Sequence, residues 1–207
     1  EDLVEKGRGI ELFPGVEDNL VVKSVMEYVR IYGMENMEEM DRIFRKRVHR
    51  PDYIVEYQRV YDENKVLCKG QPAVPFSFKD IAGKEVSLSD LKGKYVYIDV
   101  WATWCGPCNA EIPHLKKLEE EFEGRNICFV SISCDDSRKA WEKFVQAKQL
   151  GGIQLHMGED KSFMEAIRCK GIPRFMLIDR DGKFLNANMP RPSDQKTREI
   201  LNVLPGL

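Results

Sequence analysis

The chain has 207 residues, of which 43% are hydrophobic and 32% charged, a composition typical of globular proteins. Its net charge of -2 offers no basic surface for a nucleic acid or an anionic membrane, so no nucleic-acid partner is expected. No apolar run in the sequence is long enough to span a bilayer. Because the chain begins at Glu1, with neither an initiator Met nor a signal peptide, we expect a mature or trimmed form.

Residues 1–70 show the spacing of apolar residues that is typical of helices. One stripe repeats every three or four positions, with charged residues on the opposite face; its members are Met37, Met40, Ile43, Phe44 and Val48. Gly33 and Pro51 are expected to separate successive helices. The sequence therefore predicts a helical N-terminal region over residues 1–70, without a cluster of catalytic residue types.

Residues 68–78 contain Pro72 and Pro75 and are predicted to form a linker, after which short strands and helices alternate. We expect two strands around Ala82-Gly83, buried strands at 94–101 and 126–133, helices at 107–123, 137–148 and 161–167, a hairpin turning at Asp181-Gly182, and a last helix capped by Ser193. This order predicts an α/β domain over residues 71–207, with a central mixed sheet covered by helices on both faces.

Two cysteines, Cys105 and Cys108, stand in the stretch "WATWCGPC", between a predicted buried strand and a predicted helix. The unpaired N–H groups and the partial positive charge of a helix N-terminus stabilise a thiolate, so we expect the pKa of Cys105 to lie below the usual value of about 8.5. Cys108 lies one helical turn further on, within bonding reach. The spacing predicts an exposed nucleophile and a recessed resolving thiol.

Other readings of the pair are a zinc site and a structural disulfide. Zinc needs two more ligands, but there is no second CxxC motif and the three histidines, at positions 49, 114 and 156, are scattered. A disulfide that closes so short a loop stabilises a fold little. Redox chemistry is therefore favoured, and neither a metal nor a cofactor is predicted.

The remaining cysteines are Cys68, Cys128, Cys134 and Cys169. If residues 126–133 form a strand, Cys128 and Cys134 lie about 20 Å apart, too far to bond each other. We interpret both of them as buried core thiols.

The motif "WATWCGPC", together with "GQPAVPFSFKDIAGKEVSLSDLKGKYVYIDV", "VSISCDDSRKAWEKF" and "GIPRFMLIDRDGKF", resembles the TlpA/ResA-type thiol–disulfide oxidoreductases of the thioredoxin-like AhpC/TSA-redoxin superfamily. The wider pattern is similar to that of two-part Bacteroidetes-like members with a helical N-terminal region. The resemblance covers residues 70–207 and implies a thioredoxin-like fold.

In this family Cys105 would be the attacking cysteine and Cys108 the resolving one. Pro173 matches the cis-proline that faces the disulfide, and the backbone of the preceding Ile172 would hold the substrate chain. Trp104 matches an aromatic residue beside the motif.

Trp101, by the same comparison, packs beneath the motif, and Pro113 matches a kink proline in the active-site helix. Arg174 departs from the family pattern, which usually has Thr after the cis-proline. A cation there would lower the pKa of Cys105 or select acidic substrates, unless it points to solvent.

Two carboxyl groups are candidates for tuning the cysteines. Glu111 lies one turn after Cys108 on the same helix face, where the family has a tuning Glu. Asp99 stands six residues before Cys105, where thioredoxin has a buried Asp. A desolvated carboxylate has a raised pKa and can accept the proton of Cys108, so we expect one of the two acids to be protonated near neutral pH.

The predicted function is thiol–disulfide exchange that reduces protein disulfides. The partners implied by the resemblance are a disulfide-containing substrate protein and an upstream electron donor, itself a membrane or periplasmic thiol–disulfide protein. The implied location is the periplasm, or the outer surface of the inner membrane, of a Gram-negative bacterium.

Three other functions remain open from the sequence. A peroxiredoxin is disfavoured because the PxxxTxxC pattern is missing. A copper-delivery protein would use the two cysteines with His156. Alternatively, residues 1–70 could be a partner-docking module that the redox domain accompanies.

Overall fold

A computed structural model of the protein describes residues 16–32, 34 and 37–207. The chain divides into two compact units, one up to Lys65 and one from Val66 to Leu207. Among the described residues, no helix combines the length and apolar character needed to cross a membrane.

The described residues of the first unit form three helices: α1 (Val16–Tyr32), α2 (Met37–Arg47) and α3 (Pro51–Asn64). The predicted stripe on α2 is only partly buried: Met37, Phe44 and Val48 are in the core, while Met40 and Ile43 are half-buried. Phe44 stacks on Tyr57 of α3, with ring centroids 3.8 Å apart. Tyr57 also donates a hydrogen bond to Asp41 at 2.9 Å, which links α3 to α2.

Pro51 begins α3, where the missing N–H costs no hydrogen bond. The other predicted break, Gly33, and the predicted helical region at residues 1–15 lie outside the described residues.

The second unit is a mixed sheet flanked by helices, in the order β2-β1-β5-β4-β3-β6-β7. The strands are β1 (Ser77–Asp80), β2 (Glu85–Ser87), β3 (Tyr95–Trp101), β4 (Ile127–Ser133), β5 (Ile153–His156), β6 (Arg174–Ile178) and β7 (Phe184–Met189). The helices are α4 (Gly106–Glu121), α5 (Arg138–Lys148), α6 (Ser162–Ala166) and α7 (Gln195–Asn202). The predicted mixed sheet is thus confirmed.

The central strand β3 pairs in parallel with β4 and antiparallel with β6, and all seven of its residues are buried. A continuous apolar run suits such a strand because both of its faces are covered. Tyr97 of this strand packs in one cluster with Leu115 and Leu118 of α4 and with Leu201 of α7. The strand therefore fixes the position at which the chain emerges at Trp101, just before the two cysteines.

Residues 70–73 are not the free linker that the prolines predicted. The N–H of Gly70 donates to the carbonyl of Phe184, and the N–H of Ala73 donates to the carbonyl of Gly182. These bonds attach the segment to the hairpin that connects β6 and β7. The division into domains at residues 1–70 and 71–207 stays a prediction.

Candidate active site

Cys105 and Cys108 form a disulfide at the junction between β3 and α4, with their Cα atoms 5.2 Å apart. Cys105 is the N-cap of α4, and the backbone N–H of Cys108 donates to the Cys105 Sγ at 3.2 Å. Pro107 occupies the first turn, where a helix needs no N–H. The strand-to-helix junction therefore points an unpaired helix N–H at the sulfur of Cys105.

The prediction of an exposed Cys105 is wrong for this oxidised state. Cys105 is 5% exposed and Cys108 is 3% exposed. Both pack in one cluster with Trp101, Ala102 and α5, and Ile172 closes against it. Trp104 is the large exposed side chain of the motif, at 69%, and Gly106 and Pro107 are exposed as well.

The loop before β6 lies against the disulfide. The peptide bond between Ile172 and Pro173 is cis, as the resemblance predicts. The carbonyl oxygen of Ile172 lies 3.8 Å from the Cys105 Sγ. A main-chain carbonyl is thus held beside the sulfur that would react with substrate.

Asp135 anchors the loop that precedes the cysteines, a role that the sequence analysis missed. Its buried carboxylate accepts the N–H of Thr103 at 3.0 Å, the Thr103 hydroxyl at 2.6 Å and the Ser133 hydroxyl at 2.7 Å. Asn109 of α4 in turn donates to the carbonyl of Thr103 at 2.9 Å. Asp135 lies two residues after the end of β4, where an ordinary loop acid also occurs, so its local sequence carries no distinguishing signal.

Glu111 is buried on α4, with its side chain 9% exposed, and it accepts two hydrogen bonds from Ser193. The backbone N–H of Ser193 lies 3.0 Å from one carboxylate oxygen and the hydroxyl lies 2.9 Å from the other. The guanidinium of Arg191 lies 3.8 Å from the Oε1 of Glu111. The prediction that Ser193 caps the last helix is therefore wrong: Asp194 caps α7 through the N–H of Lys196, which leaves Ser193 for Glu111.

Asp99 is buried on β3, and no partner for its Oδ1 exists among the described residues. Burial raises the pKa of Asp99 to about 8, and the negative charges of Glu111 and Glu119 add to the effect. At neutral pH this carboxyl is mostly protonated, which agrees with the expectation that one of the two predicted acids is neutral there. Glu119 was not among the predicted site residues.

Comparison with known proteins agrees with this geometry. Residues 69–186 match the AhpC/TSA family. The chain belongs to this family. The thiol-disulfide oxidoreductase ResA of Bacillus subtilis (strain 168) is 26% identical over 148 residues, which are 72% of this chain and 82% of ResA.

Two solved structures from Bacteroides vulgatus, both described as candidate thiol-disulfide oxidoreductases, are similar to the chain. The solution structure is 63% identical with a TM-score of 0.59, and it covers 64% of this chain and 88% of its own. The crystal structure is 38% identical with a TM-score of 0.63, and the match covers 66% of this chain and 96% of the crystallised one. This AhpC/TSA chain is a thioredoxin-like thiol–disulfide oxidoreductase of the TlpA/ResA type.

Arg174 of this AhpC/TSA chain has its guanidinium bound to β7 and to the loop before β6. It donates to the carbonyl of Ala187 at 3.1 Å, to the side chain of Asn188 at 2.9 Å and to the carbonyl of Arg168 at 3.4 Å. These contacts explain how an arginine is accommodated after the cis-proline. A role for Arg174 in substrate selection stays a prediction.

Three further thiols, Cys128, Cys134 and Cys169, are free and half-buried rather than fully in the core. Burial raises the pKa of Cys134, which packs at the margin of the disulfide cluster. The Cys169 thiol donates to the carbonyl of Gly171 at 3.1 Å.

His156, the residue proposed for copper, lies on β5 with its ring centroid 5.2 Å from that of Trp141. Its Nδ1 accepts the N–H of Gly158 at 3.2 Å. Within the described part of the chain, no three His, Cys, Asp or Glu residues are grouped as a metal site would require.

Proposed function

We propose that this oxidoreductase reduces disulfide bonds of proteins outside the cytoplasm, with Cys105 as the attacking cysteine. The observation that supports this most directly is the position of the Cys105 sulfur. It lies between the N–H of Cys108, at 3.2 Å, and the carbonyl of Ile172, at 3.8 Å. The first group stabilises a thiolate, and the second can accept a backbone N–H of an extended substrate chain.

The reaction begins from the reduced pair. The Cys105 thiolate attacks one sulfur of the substrate disulfide, forms a mixed disulfide and releases the other substrate sulfur as a thiolate. Cys108 then loses its proton and attacks the Cys105 sulfur, which releases the second substrate thiolate. Two electrons pass to the substrate, and the Cys105–Cys108 disulfide is left for an upstream dithiol protein to reduce.

The proton of Cys108 needs an acceptor during the second step. Asp99 and Glu111 are buried carboxyl groups on β3 and α4, the two elements that meet at the cysteines, and both would tune this step. Asp99 is suited to accept and return a proton because its pKa of about 8 is close to neutral pH. Glu111 is held in place by Ser193 and would act mainly through its charge.

The substrate-facing surface consists of Trp104, the cis Ile172–Pro173 segment and the sulfur of Cys105. Trp104 is 69% exposed beside an otherwise buried disulfide, as an aromatic contact for a protein partner would be. We propose that the substrates are folded or partly folded proteins of the periplasm and that the electron donor is a membrane or periplasmic dithiol protein. The relatives named thiol-disulfide oxidoreductases support the disulfide chemistry in this proposal.

The test is a trap. In Cys108→Ser the second step cannot occur, so the physiological substrate should remain bound to Cys105 as a mixed disulfide that dithiothreitol releases. The matched controls are Cys105→Ser and the double variant, which measure adducts formed through the free thiols. Adducts equal in amount in Cys108→Ser and in the double variant would contradict the proposal.

A further inference from the structure

A narrow cavity lies beneath α4 at the centre of the sheet. Its lining combines three strands with one face of α4 and the loop before β5, and its polar members are Asp99, Trp101, Lys116, Glu119, Ser131 and Gln154. The polar members are unusual for a buried position and need partners. The reaction described above does not account for most of them.

Three of these polar residues form a row across neighbouring strands. Asp99 of β3 pairs with Ser131 of β4, and Ser131 pairs with Gln154 of β5. Directly paired residues point to the same face of a sheet, so the three side chains lie side by side. Their exposed fractions are 9%, 4% and 8%, respectively.

The unpartnered atoms around the cavity match the hydrogen-bonding capacity of one water molecule. Among the described residues, the Asp99 Oδ1, the Gln154 Oε1 and the Trp101 Nε1 are buried without a partner. A water molecule in the cavity can accept from the indole and from a protonated Asp99, and can donate to the Gln154 and Glu119 oxygens. The cavity has room for about one water.

Glu119 brings a second carboxylate to the same cavity, on the side nearer to solvent. It is half-buried, and two glycines make room for it. A Cβ atom on Gly151 would lie 2.6 Å from its Oε2, and one on Gly152 would lie 2.8 Å from its Oε1. Either would have to displace the carboxylate, so this loop accommodates Glu119 only because it carries no side chains there.

The charges around the two carboxyl groups suit proton exchange at neutral pH. Burial raises the pKa of Glu119 to about 7, Lys116 lowers it and Glu120 raises it. Lys116 is held by the carbonyl of Lys148 at 2.6 Å, at the end of α5.

The groups that face Asp99 are also few. The charges of Glu111 and Glu119 of α4 raise its pKa. Burial raises the pKa of the Tyr97 phenol on the same strand, and the charge of Asp99 adds to that rise. Ser131 and Gln154 are the uncharged members of the row. Glu119 lines the cavity and is only half-buried, so its carboxyl group can exchange protons with solvent.

We propose that Glu119 and one buried water form the path by which Asp99 returns its proton to solvent during turnover. The inference builds on the proposed function, in which the proton of Cys108 passes to the Asp99 carboxylate. Because Asp99 is mostly protonated at neutral pH, it first gives its proton through the water to the Glu119 carboxylate, which releases it to solvent. The Asp99 carboxylate can then accept the proton of Cys108, which leaves by the same path. Glu119 is a positioning residue in this scheme, because it acts through Asp99 and touches neither cysteine.

Glu119→Gln tests the path, with Glu120→Gln as the matched control on the exposed neighbouring position. The reduced enzyme is mixed with insulin as a disulfide substrate, and tryptophan fluorescence follows the oxidation of the pair in a single turnover between pH 5.5 and 9. We expect Glu119→Gln to slow the second step about tenfold near pH 7, less than the roughly 10²-fold or more of a direct general acid–base group, because Glu119 acts through Asp99. Glu120→Gln should keep the wild-type profile.

Two further variants separate the path from a structural effect. In an Asp99→Asn background, Glu119→Gln should have no additional effect, because the two residues act as one unit. Gly151→Ala, which keeps the carboxylate but displaces it, should slow the second step as Glu119→Gln does.

Two results would overturn the path: identical profiles for Glu119→Gln and Glu120→Gln, or an equal slowing by Glu119→Gln with and without Asp99. Failure of the wild-type enzyme to reduce any disulfide would instead contradict the proposed function.

Discussion

Asp99→Asn should stabilise the unit from Val66 to Leu207, and the gain should grow with pH. In the folded protein the pKa of Asp99 is about 8, whereas its ordinary value of 3.8 applies to the unfolded chain. Below about pH 4 both states are protonated, so Asp99 has no effect on the pH dependence. Above it the unfolded chain releases the proton and the folded protein does not. Wild-type stability therefore falls with rising pH until the pH passes 8.

The size of the effect follows from the difference between the two pKa values. One pKa unit corresponds to about 1.4 kcal/mol, so a rise from 3.8 to about 8 corresponds to roughly 6 kcal/mol as an upper limit. Relaxation and water entry around the charged carboxylate reduce this value. We expect the free energy of unfolding of Asp99→Asn to gain about 1 kcal/mol on the wild type for each pH unit between pH 5 and 7.

Urea unfolding at a series of pH values measures this difference. The three tryptophans, Trp101, Trp104 and Trp141, all belong to the Val66–Leu207 unit, so their fluorescence reports on that unit alone. Linear extrapolation gives the free energy of unfolding, and an unchanged slope shows that the same surface unfolds. Glu120→Gln is the exposed control and should follow the wild type. A constant difference between Asp99→Asn and wild type from pH 5 to pH 8 would refute the reasoning.

Three smaller predictions concern the surroundings of the cysteines. Asp135→Asn should lower the free energy of unfolding by about 2 kcal/mol and slow the attack by Cys105, because the loop at Thr103 loses charged hydrogen bonds; urea unfolding and single-turnover rates measure the two effects. Ser193→Ala should cost about 1–2 kcal/mol by urea unfolding, since Glu111 keeps the backbone N–H but loses the hydroxyl. Trp104→Ala should change the free energy of unfolding by less than about 0.5 kcal/mol, because the side chain is 69% exposed. It should raise KM about tenfold for a protein disulfide but not for a small one, in steady-state assays.

The order of strands and helices could be predicted in outline because apolar runs and spacing encode it. Strand β5 was missed because it has only four residues, too few to carry a strong strand signal, and two of them are the polar Gln154 and His156. Its place is set by pairing with β1 and β4, which is a long-range property. The prediction of a linker was wrong for the same reason, because the backbone of this segment is hydrogen-bonded to the distant hairpin near Gly182.

The candidate site was predictable where the chemistry lies within one short stretch. Cys105 and Cys108 are separated by one helical turn, so their pairing follows from the spacing. Asp135 and Ser193 reach the site from elements 32 and 82 residues away in the chain. Nothing in their local sequence distinguishes an anchoring acid from a loop acid, or a serine that binds Glu111 from a helix cap.

The polar row under α4 is the part of the fold that opposes stability most clearly. Asp99, Ser131 and Gln154 occupy central positions of three adjacent strands, where apolar side chains would pack without unpaired polar atoms. The neighbouring core of Tyr97, Leu118 and Leu177 is fully buried and offsets this cost. A buried carboxyl group that lowers stability at neutral pH, on the strand that leads to a reactive disulfide, is better explained by proton transfer than by packing. The predicted gain in stability of Asp99→Asn and the proposed transfer of the Cys108 proton to Asp99 therefore both follow from the same buried carboxyl group.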